Sequence, residues 1–580
     1  MIKNLHFIIF IFLISLLNAQ SFDSKGNLFL RNDYAVFFEE AYQTYPEIPR
    51  GYLEAFAYHN TRIHHNTKNN TTESCSQMPF YFGVMGLIEN GKNVFKNNLE
   101  TVSNLSGYSK KQIKENPRIN ILAFAKAYST LLQLNQFNSN STKNSYIQTL
   151  EKLSELPSNN NDDVYVRDIQ LYGILSFLNN KEFQSFYHTQ KFNFDLVAIF
   201  GEENFQVLSA TQVDLNTNQI STNKGYIYHA NDDAQLMGPC VMPTGPAEYP
   251  TAIWDPAAST NYSVAITPDM VAIHTMQGSY AGSISWFKNT SASVSAQYCV
   301  RSYDGQITQM VCHRRRAFHV GNSNSFAVGI EQEAYAEDGL AWFTNAQYAS
   351  VANLVNFISS AESVQKLKMY NGPPVNGLLP LSNSCYKIKG HQHYPSNTHV
   401  DPGPFFDWER LYRMVNPFPA PTFTSTALNG TFYDAGGVAG NYMDASHSTF
   451  LIDPVTTNPI RVSFSSWNVE TNNDFLLIYD GANNNSRLIG KYSTNPGTVV
   501  AYSGAIFFEF RSDCSTNLTG WVANWTTDIA APSCQSPSNL IITPQALTAT
   551  ISWNAVAGAT SYNIRYKTTI ESTWTNKTST

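Results

Sequence analysis

Gly390-His391-Gln392-His393-Tyr394-Pro395, followed closely by His399-Val400-Asp401-Pro402-Gly403-Pro404, gathers three histidines and an aspartate in one turn-rich stretch. Neutral imidazole nitrogens and a carboxylate oxygen suit a borderline metal such as zinc, and three protein ligands leave a fourth position open for chemistry. A fourth histidine, His274, ends the apolar run Val271-Ala272-Ile273, the pattern of a buried strand. Spacing alone admits several ligand sets, because His391, His393 and His399 compete. Around these residues, from Tyr249 to Asn416, the chain alternates short strands, one long helix and tight turns.

Outward from that unit the character changes on both sides. Residues 20–235 read as mainly helical: Ile121, Ala125, Tyr128 and Leu132 recur at three- and four-residue spacing, one buried helix face. Asn- and Ser-rich loops break this region at Ser139–Ser145 and Ser158–Asp163. Pro417, Pro419 and Pro421 form a stiff linker. Beyond it lie β-rich runs such as Ile460-Arg461-Val462-Ser463-Phe464, apolar at alternate positions as in a half-buried strand. A second Pro/Ser linker, Ala531 to Pro537, precedes the strand patterns Ala549-Thr550-Ile551-Ser552-Trp553 and Tyr562-Asn563-Ile564-Arg565-Tyr566.

With 580 residues the chain exceeds the roughly 100–200 of one domain, so several units are expected. Charged residues are only 14%, against about 25% in an ordinary soluble chain, and the net charge is −7. That balance excludes a general nucleic-acid binder, which carries a basic excess. Lys3, an apolar run from Phe7 to Leu17 and the small residue Ala19 read as a signal peptide over 1–19. The run is too short to span about 30 Å of hydrocarbon, and no later segment does so; export to the extracellular space or cell envelope follows. The seven cysteines include no CxxC pair, which excludes a four-cysteine zinc site. Cys299 and Cys312 flank the turn Asp304-Gly305. Pairing Tyr303 with Gln306 sets Cys299 opposite Met310 and Cys312 on the same face, open to a diagonal disulfide or to two buried thiols.

Residues from about Trp254 to Val415 resemble the zinc-dependent N-acetylmuramoyl-L-alanine amidase family, whose fold is shared with peptidoglycan recognition proteins. The stretches that carry the resemblance are Val271-Ala272-Ile273-His274-Thr275, Asp304-Gly305-Gln306-Ile307, Ala317-Phe318-His319-Val320-Gly321, Val328-Gly329-Ile330-Glu331, and Gly390-His391 through Asp401-Pro402-Gly403-Pro404-Phe405-Phe406-Asp407-Trp408, in the family's order. The resemblance implies an amidase domain over 245–416 with a mixed central sheet. It implies zinc ligands at His274, His391 and Asp401, and a catalytic glutamate at Glu331. A family lysine that assists catalysis falls on His399, which, if protonated, would stabilise the oxyanion. His319 is expected to position substrate or to support the shell around the ligands rather than to bind zinc, and Tyr298 is expected at the substrate. A family histidine falls on Gln297, beside Tyr298. Glu333 is the neighbouring rival for the base. The implied reaction is hydrolysis of the amide between N-acetylmuramic acid and L-alanine in peptidoglycan, with glycan strands and stem peptides as partners.

Residues 45–135 resemble lysozyme-like lytic transglycosylases through Gly51-Tyr52-Leu53-Glu54-Ala55-Phe56-Ala57, Tyr81-Phe82-Gly83-Val84-Met85-Gly86-Leu87 and Asn116-Pro117 with Asn120-Ile121. The position of that family's glutamate reads His59-Asn60-Thr61, and asparagine cannot act as general acid. Glu54 stands further back on another part of the helix face, so a degenerate, glycan-binding domain is expected over 20–235. Residues 427–527 resemble a CUB β-sandwich through Gly430-Thr431-Phe432, Asn441-Tyr442, Asp474-Phe475-Leu476-Leu477-Ile478-Tyr479-Asp480-Gly481, Phe508-Glu509-Phe510 and Gly520-Trp521. Its acidic positions fall on Glu470, Asp474 and Asp513, oxygen donors suited to Ca2+. Residues 532–580 look like part of a fibronectin type III domain with Trp553 and Tyr566 in its core. Such sandwiches need about 90–100 residues, so more chain is expected after Thr580. These resemblances give a multidomain fold: an α-helical lysozyme-like domain, an α/β amidase domain, then C-terminal β-sandwich modules that bind glycan or protein. A recognition protein that binds peptidoglycan without cutting it, and an adhesin, are the competing readings.

Overall fold

The computed structural model describes residues 29–134, 141–210, 247–456 and 458–527, and short strands between and after them. The expected signal peptide over 1–19 lies outside the described residues.

The first unit is helical from Ala35 to Ser209. Its central helices are α1 (Tyr52–Thr61), α2 (Pro117–Gln133) and α3 (Asn161–Asn179). Every residue of α1 is buried, so it is a core helix rather than a surface one. Asn116 caps α2 by accepting from the Ile119 amide at 3.1 Å, and Pro117 occupies the first turn, where its missing N–H costs nothing. The helical expectation to residue 235 is corrected at its end. Val213–Asn216, Gln219–Thr222 and Ile227–His229 form a three-stranded antiparallel sheet, where the β-branched Val213, Ile220, Thr222 and Ile227 favour strand.

The second unit is built on β1 (Ile253–Trp254), β2 (Met270–Thr275), β3 (Tyr298–Val300), β4 (Ile307–Gln309), β5 (Ala327–Gln332) and β6 (Ile388–Gly390). They form one sheet in the order β6-β2-β5-β3-β4-β1, with β3 and β4 antiparallel and the other neighbours parallel. Two faces result. Ile273, Ile330 and Tyr298 point toward α5 (Asn345–Glu362) and α6 (Trp408–Val415), packing with Val351, Val355 and Trp408. On the other face lies α4 (Tyr280–Phe287), and there one continuous core joins Phe56, Phe124 and Leu175 of the helical unit to Met276, Ile284, Cys299 and Trp342. The helical unit is therefore packed onto the face that carries His274 and Glu331.

The hairpin between β3 and β4 differs from its expected form. Cys299 pairs with Thr308, not Met310, and the loop closes on Arg301 and Gln306. Arg301 Nε reaches Asp304 Oδ1 at 2.8 Å across the loop, and this ion pair favours four loop residues over a two-residue Asp-Gly turn. Cys299 is a buried free thiol, whereas Cys312 is disulfide-bonded, so no diagonal disulfide joins them.

The third unit is a sandwich of a five-stranded and a four-stranded sheet around Phe432, Phe450, Phe508, Phe510 and Trp521. Ile460, Val462 and Phe464 turn inward, as their alternation predicts. Cys385 and Cys514 form a disulfide between this sandwich and the second unit. Beside it, Arg511 donates to both oxygens of Glu409 on α6, at 2.7 and 2.9 Å. After residue 527 two antiparallel strand pairs are described, Ser538–Pro544 with Ala549–Asn554 and Tyr562–Tyr566 with Thr575–Ser579.

Candidate active site

Three ends of chain meet on the face of the sheet turned to the helical unit. Parallel pairing sets Glu331 of β5 beside His274 of β2, and Gly390 of β6 beside Ile273, so His391 emerges next to His274. In parallel strands paired residues share a face, so the register alone directs Glu331 and His274 to the same side. Asp401 returns on the loop after β6 and its carbonyl accepts from the Gln392 amide at 2.9 Å.

The histidine geometry fixes a tautomer. His319 Nε2 lies 3.3 Å from the Ala327 carbonyl, which only accepts, so this nitrogen carries the proton. His319 Nδ1 then accepts from His274 Nε2 at 3.0 Å, leaving His274 Nδ1 as a bare lone pair. That lone pair faces Asp401 Oδ2 at 3.1 Å, while His391 Nδ1 stands 3.2 Å from Asp401 Oδ1. His391 Nδ1 is buried and has no hydrogen-bond partner. A bare imidazole lone pair facing a carboxylate in a buried site calls for a cation between them, and with His391 Nδ1 beside the same carboxylate the donor set fits a metal ion. Burial lowers the His274 imidazole to about 4, keeping it neutral as a ligand must be.

Glu331 is 1% exposed. Burial, and then the Asp401 charge, push its carboxyl up to about 8, against a hydrogen bond from the Cys75 thiol that lowers it. Its Oε2 has no partner. Glu333 is fully engaged: its oxygens accept from the Tyr280 amide at 3.0 Å and the Ser302 amide at 2.9 Å. His399 is half-buried, its ring 5.0 Å from that of His391, and burial lowers its pKa, so at neutral pH it offers a neutral N–H. Together with His319 and His391 it lines a cleft of about 320 Å3.

Other expected residues fall elsewhere. Tyr298, expected at the substrate, pairs with Ile330 rather than Glu331 and therefore lies on the opposite face of the sheet. It is wholly buried, and its hydroxyl meets His313 Nε2 at 2.6 Å. Gln297 accepts from the Gly329 amide at 2.7 Å and donates to Arg315, a structural role. The competition among histidines is settled for His393, which is buried against Tyr370 and Trp408 and accepts from the Gly390 amide at 3.1 Å. His319 supports His274, one of the two roles expected of it, whereas the spacing of the sequence does not place Cys75 here. Cys75 Sγ lies 3.9 Å from His274 Nδ1, and nothing in its local sequence signals that.

One further acidic site was expected, and in the helical unit none. Glu470, Asp474 and Asp513 do converge, their ligand atoms within 4.8 Å of one another. Asp474 accepts from the Tyr442 hydroxyl at 2.6 Å and the Asp513 amide at 2.7 Å, and burial raises its carboxyl to about 6. In the helical unit, Asn60 donates to Met85 O and accepts from Gln170 Nε2, each at 3.2 Å, as a buried structural amide. Glu54 is buried beneath the Tyr42 hydroxyl, which donates to it.

Residues 265–404 match the family profile for N-acetylmuramoyl-L-alanine amidase, and residues 423–525 match that of the CUB domain. N-acetylmuramoyl-L-alanine amidase A of Achromobacter lyticus is 41% identical over 171 residues, 29% of this chain and 96% of that relative. The 1,6-anhydro-N-acetylmuramyl-L-alanine amidase AmpD of Haemophilus influenzae is 35% identical over 126 residues, 20% of this chain and 57% of its own length. Human cubilin is 30% identical over 97 residues, 16% of this chain and 3% of its own.

Proposed function

The chain belongs to the N-acetylmuramoyl-L-alanine amidase family, and from that premise we propose that it is an exported, zinc-dependent hydrolase of the bond between the lactyl carbonyl of muramic acid and L-alanine. The observation that carries the metal is the Asp401 carboxylate held between two buried imidazole nitrogens, one of them stripped of its proton by the relay through His319. His274, His391 and Asp401 would hold the ion. Bound there, zinc supplies Lewis acidity toward the amide carbonyl and toward water.

The rest of the chemistry falls to the protein. Glu331, buried with a free oxygen, accepts a proton from the attacking water and delivers it to the departing L-alanine nitrogen. His399 donates its neutral N–H to the carbonyl oxygen as charge develops there. His319 keeps His274 in the ligating tautomer. The cleft at His319 and His399 accepts the sugar-peptide substrate. The recognition and adhesin readings are set aside for the second unit, since its ligand set and base are complete.

Export rests on the signal-like sequence over 1–19. The helical unit serves as a degenerate glycan-binding module, supported by Asn60 at the position of a lytic transglycosylase glutamate. The CUB sandwich takes Ca2+ at Glu470, Asp474 and Asp513, and with a fibronectin-like segment after residue 532 it binds glycan or protein. The test is product analysis on purified peptidoglycan with the zinc-loaded chain. Free L-alanine amino termini that vanish with a chelator and return with zinc are expected. New reducing sugar ends would overturn the assignment of the helical unit as inactive, and products unaffected by chelation would overturn the zinc.

A further inference from the structure

Cys75 belongs to the helical unit, 199 positions from His274, yet its Sγ lies 3.9 Å from His274 Nδ1 and 3.5 Å from Glu331 Oε1. With His274, His391 and Asp401 it forms a set of four side chains whose ligand atoms all lie within 4.8 Å of one another. A thiolate, two imidazoles and a carboxylate are four zinc donors, and four protein donors make a closed tetrahedral site, whereas a catalytic site leaves one position free.

The sulfur is held where it is. Ser74 Oγ donates to the Met276 carbonyl at 2.8 Å, and Trp286 Nε1 donates to the Ser76 carbonyl at 2.7 Å. Gln277 Nε2 donates to Thr72 Oγ1 at 2.8 Å. Met78 presses on Gly278 so closely that a Cβ there would stand 2.2 Å from its terminal methyl. These anchors all lie on Met276–Trp286, the segment that leads away from His274. Facing the sulfur's neighbourhood are two buried atoms with no hydrogen-bond partner, His391 Nδ1 and Glu331 Oε2.

We infer that Cys75 is a fourth ligand of the metal, so that the chain folds with the metal's fourth position closed and substrate in the cleft reaches the metal only when the 72–78 strap leaves. The inference rests on the zinc reading above. As the sulfur–metal bond forms, the thiol proton passes to solvent; as it breaks, the thiol regains a proton, and nothing is oxidised or reduced. The seated sulfur touches Glu331, in the space that the attacking water has to occupy. The helical unit thereby acts as a cap on the amidase as well as a neighbour.

Cobalt(II) in place of zinc in the full-length chain separates the possibilities. The wild-type chain is expected to show both the visible d–d bands of bound cobalt and a near-ultraviolet thiolate-to-cobalt charge-transfer band. Cys75→Ala and Cys75→Ser, each checked for folding by circular dichroism, keep the first and lose the second. In the zinc form, Cys75 resists a thiol-specific disulfide reagent until zinc is chelated. Metal affinity falls in both variants by at least the about 10–100-fold that even outer partners of metal ligands are worth. Hydrolysis of peptidoglycan by Cys75→Ala exceeds that of wild type by about tenfold or more. Cobalt d–d bands without charge transfer in the wild type would overturn Cys75 as a ligand while leaving the metal reading intact. Failure of both wild type and Cys75→Ala to bind cobalt would overturn the metal reading and this inference with it. A charge-transfer band with no gain of activity in Cys75→Ala would overturn the cap.

Discussion

Two buried glutamates invite comparison. Glu331 in the second unit is 1% exposed and Glu54 in the helical unit 6%, and burial raises their carboxyls to about 8 and about 7. Glu54 even borders the larger cleft, about 470 Å3 against 320 Å3. Burial and cleft size therefore do not distinguish the carboxyl proposed as the base from a structural one. Neighbours do. Glu331 is in register with His274 and close to Asp401, with one oxygen unused. Glu54 receives the Tyr42 hydroxyl, and the nearby Glu39 is spanned by Arg50 at 2.7 and 2.8 Å. Glycosidic cleavage needs two carboxyls facing one bond, and here both are committed to their own partners.

The largest effects should come from the metal set. His274→Ala and Asp401→Ala are expected to abolish zinc binding and hydrolysis together, read by metal analysis and product release. His391→Ala does the same, whereas His393→Ala keeps the metal and loses stability, because His393 is packed between Tyr370 and Trp408. The reverse outcome at these two histidines would break the ligand assignment. Next, Glu333→Gln should sharpen the difference between neighbouring carboxyls. It costs about 1–3 kcal/mol for each amide it ceases to satisfy, seen in denaturant titration, while turnover per folded molecule stays unchanged.

Glu54→Gln should leave hydrolysis untouched and change only the pH dependence of stability. The folded state keeps the Glu54 proton up to about 7, while an unfolded glutamate releases it near its ordinary 4.5. Stability contributed by the neutral form is thus complete below 4.5 and declines as pH rises to about 7, by about 3 kcal/mol in total. Melting temperatures of wild type and Glu54→Gln should diverge across that window and run parallel above it; curves that stay parallel throughout would contradict the burial of Glu54. The smallest effect is expected for Tyr298→Phe, which loses one buried hydrogen bond to His313, about 0.5–1.5 kcal/mol, with KM unchanged. A raised KM would return Tyr298 to the substrate.

Much of the second unit was legible because its candidate site sits at strand ends, where a short apolar run followed by a polar residue marks both the element and a side chain presented at its end. His274 after Val271-Ala272-Ile273 is such a case, and Glu331 after Val328-Gly329-Ile330 is another. Tyr298 went wrong by parity: one position along β3 exchanges the site face for the α5 face. The hairpin register went wrong because Asp304-Gly305 suggests a two-residue turn, and only the position of Arg301 reveals the longer loop. Cys75, and the Cys385–Cys514 disulfide, join units far apart in the chain, and no local pattern encodes such a meeting. The convergence of Glu470, Asp474 and Asp513 was readable only through resemblance, since three scattered acids carry no periodicity.

The account turns on Glu331 as the base beside a zinc ion. Glu331→Gln, prepared in both the wild-type and the Cys75→Ala chain so that closure of the site does not mask the result, allows kcat, zinc content and melting temperature to be measured on one preparation. Glutamine fills the same space but cannot take the water's proton. Full zinc, an unchanged melting temperature and a kcat lowered by about 10²–10⁴, equal to about 3–5 kcal/mol of barrier, are predicted. A near-normal kcat with full zinc occupancy would contradict the account and remove Glu331 from the mechanism.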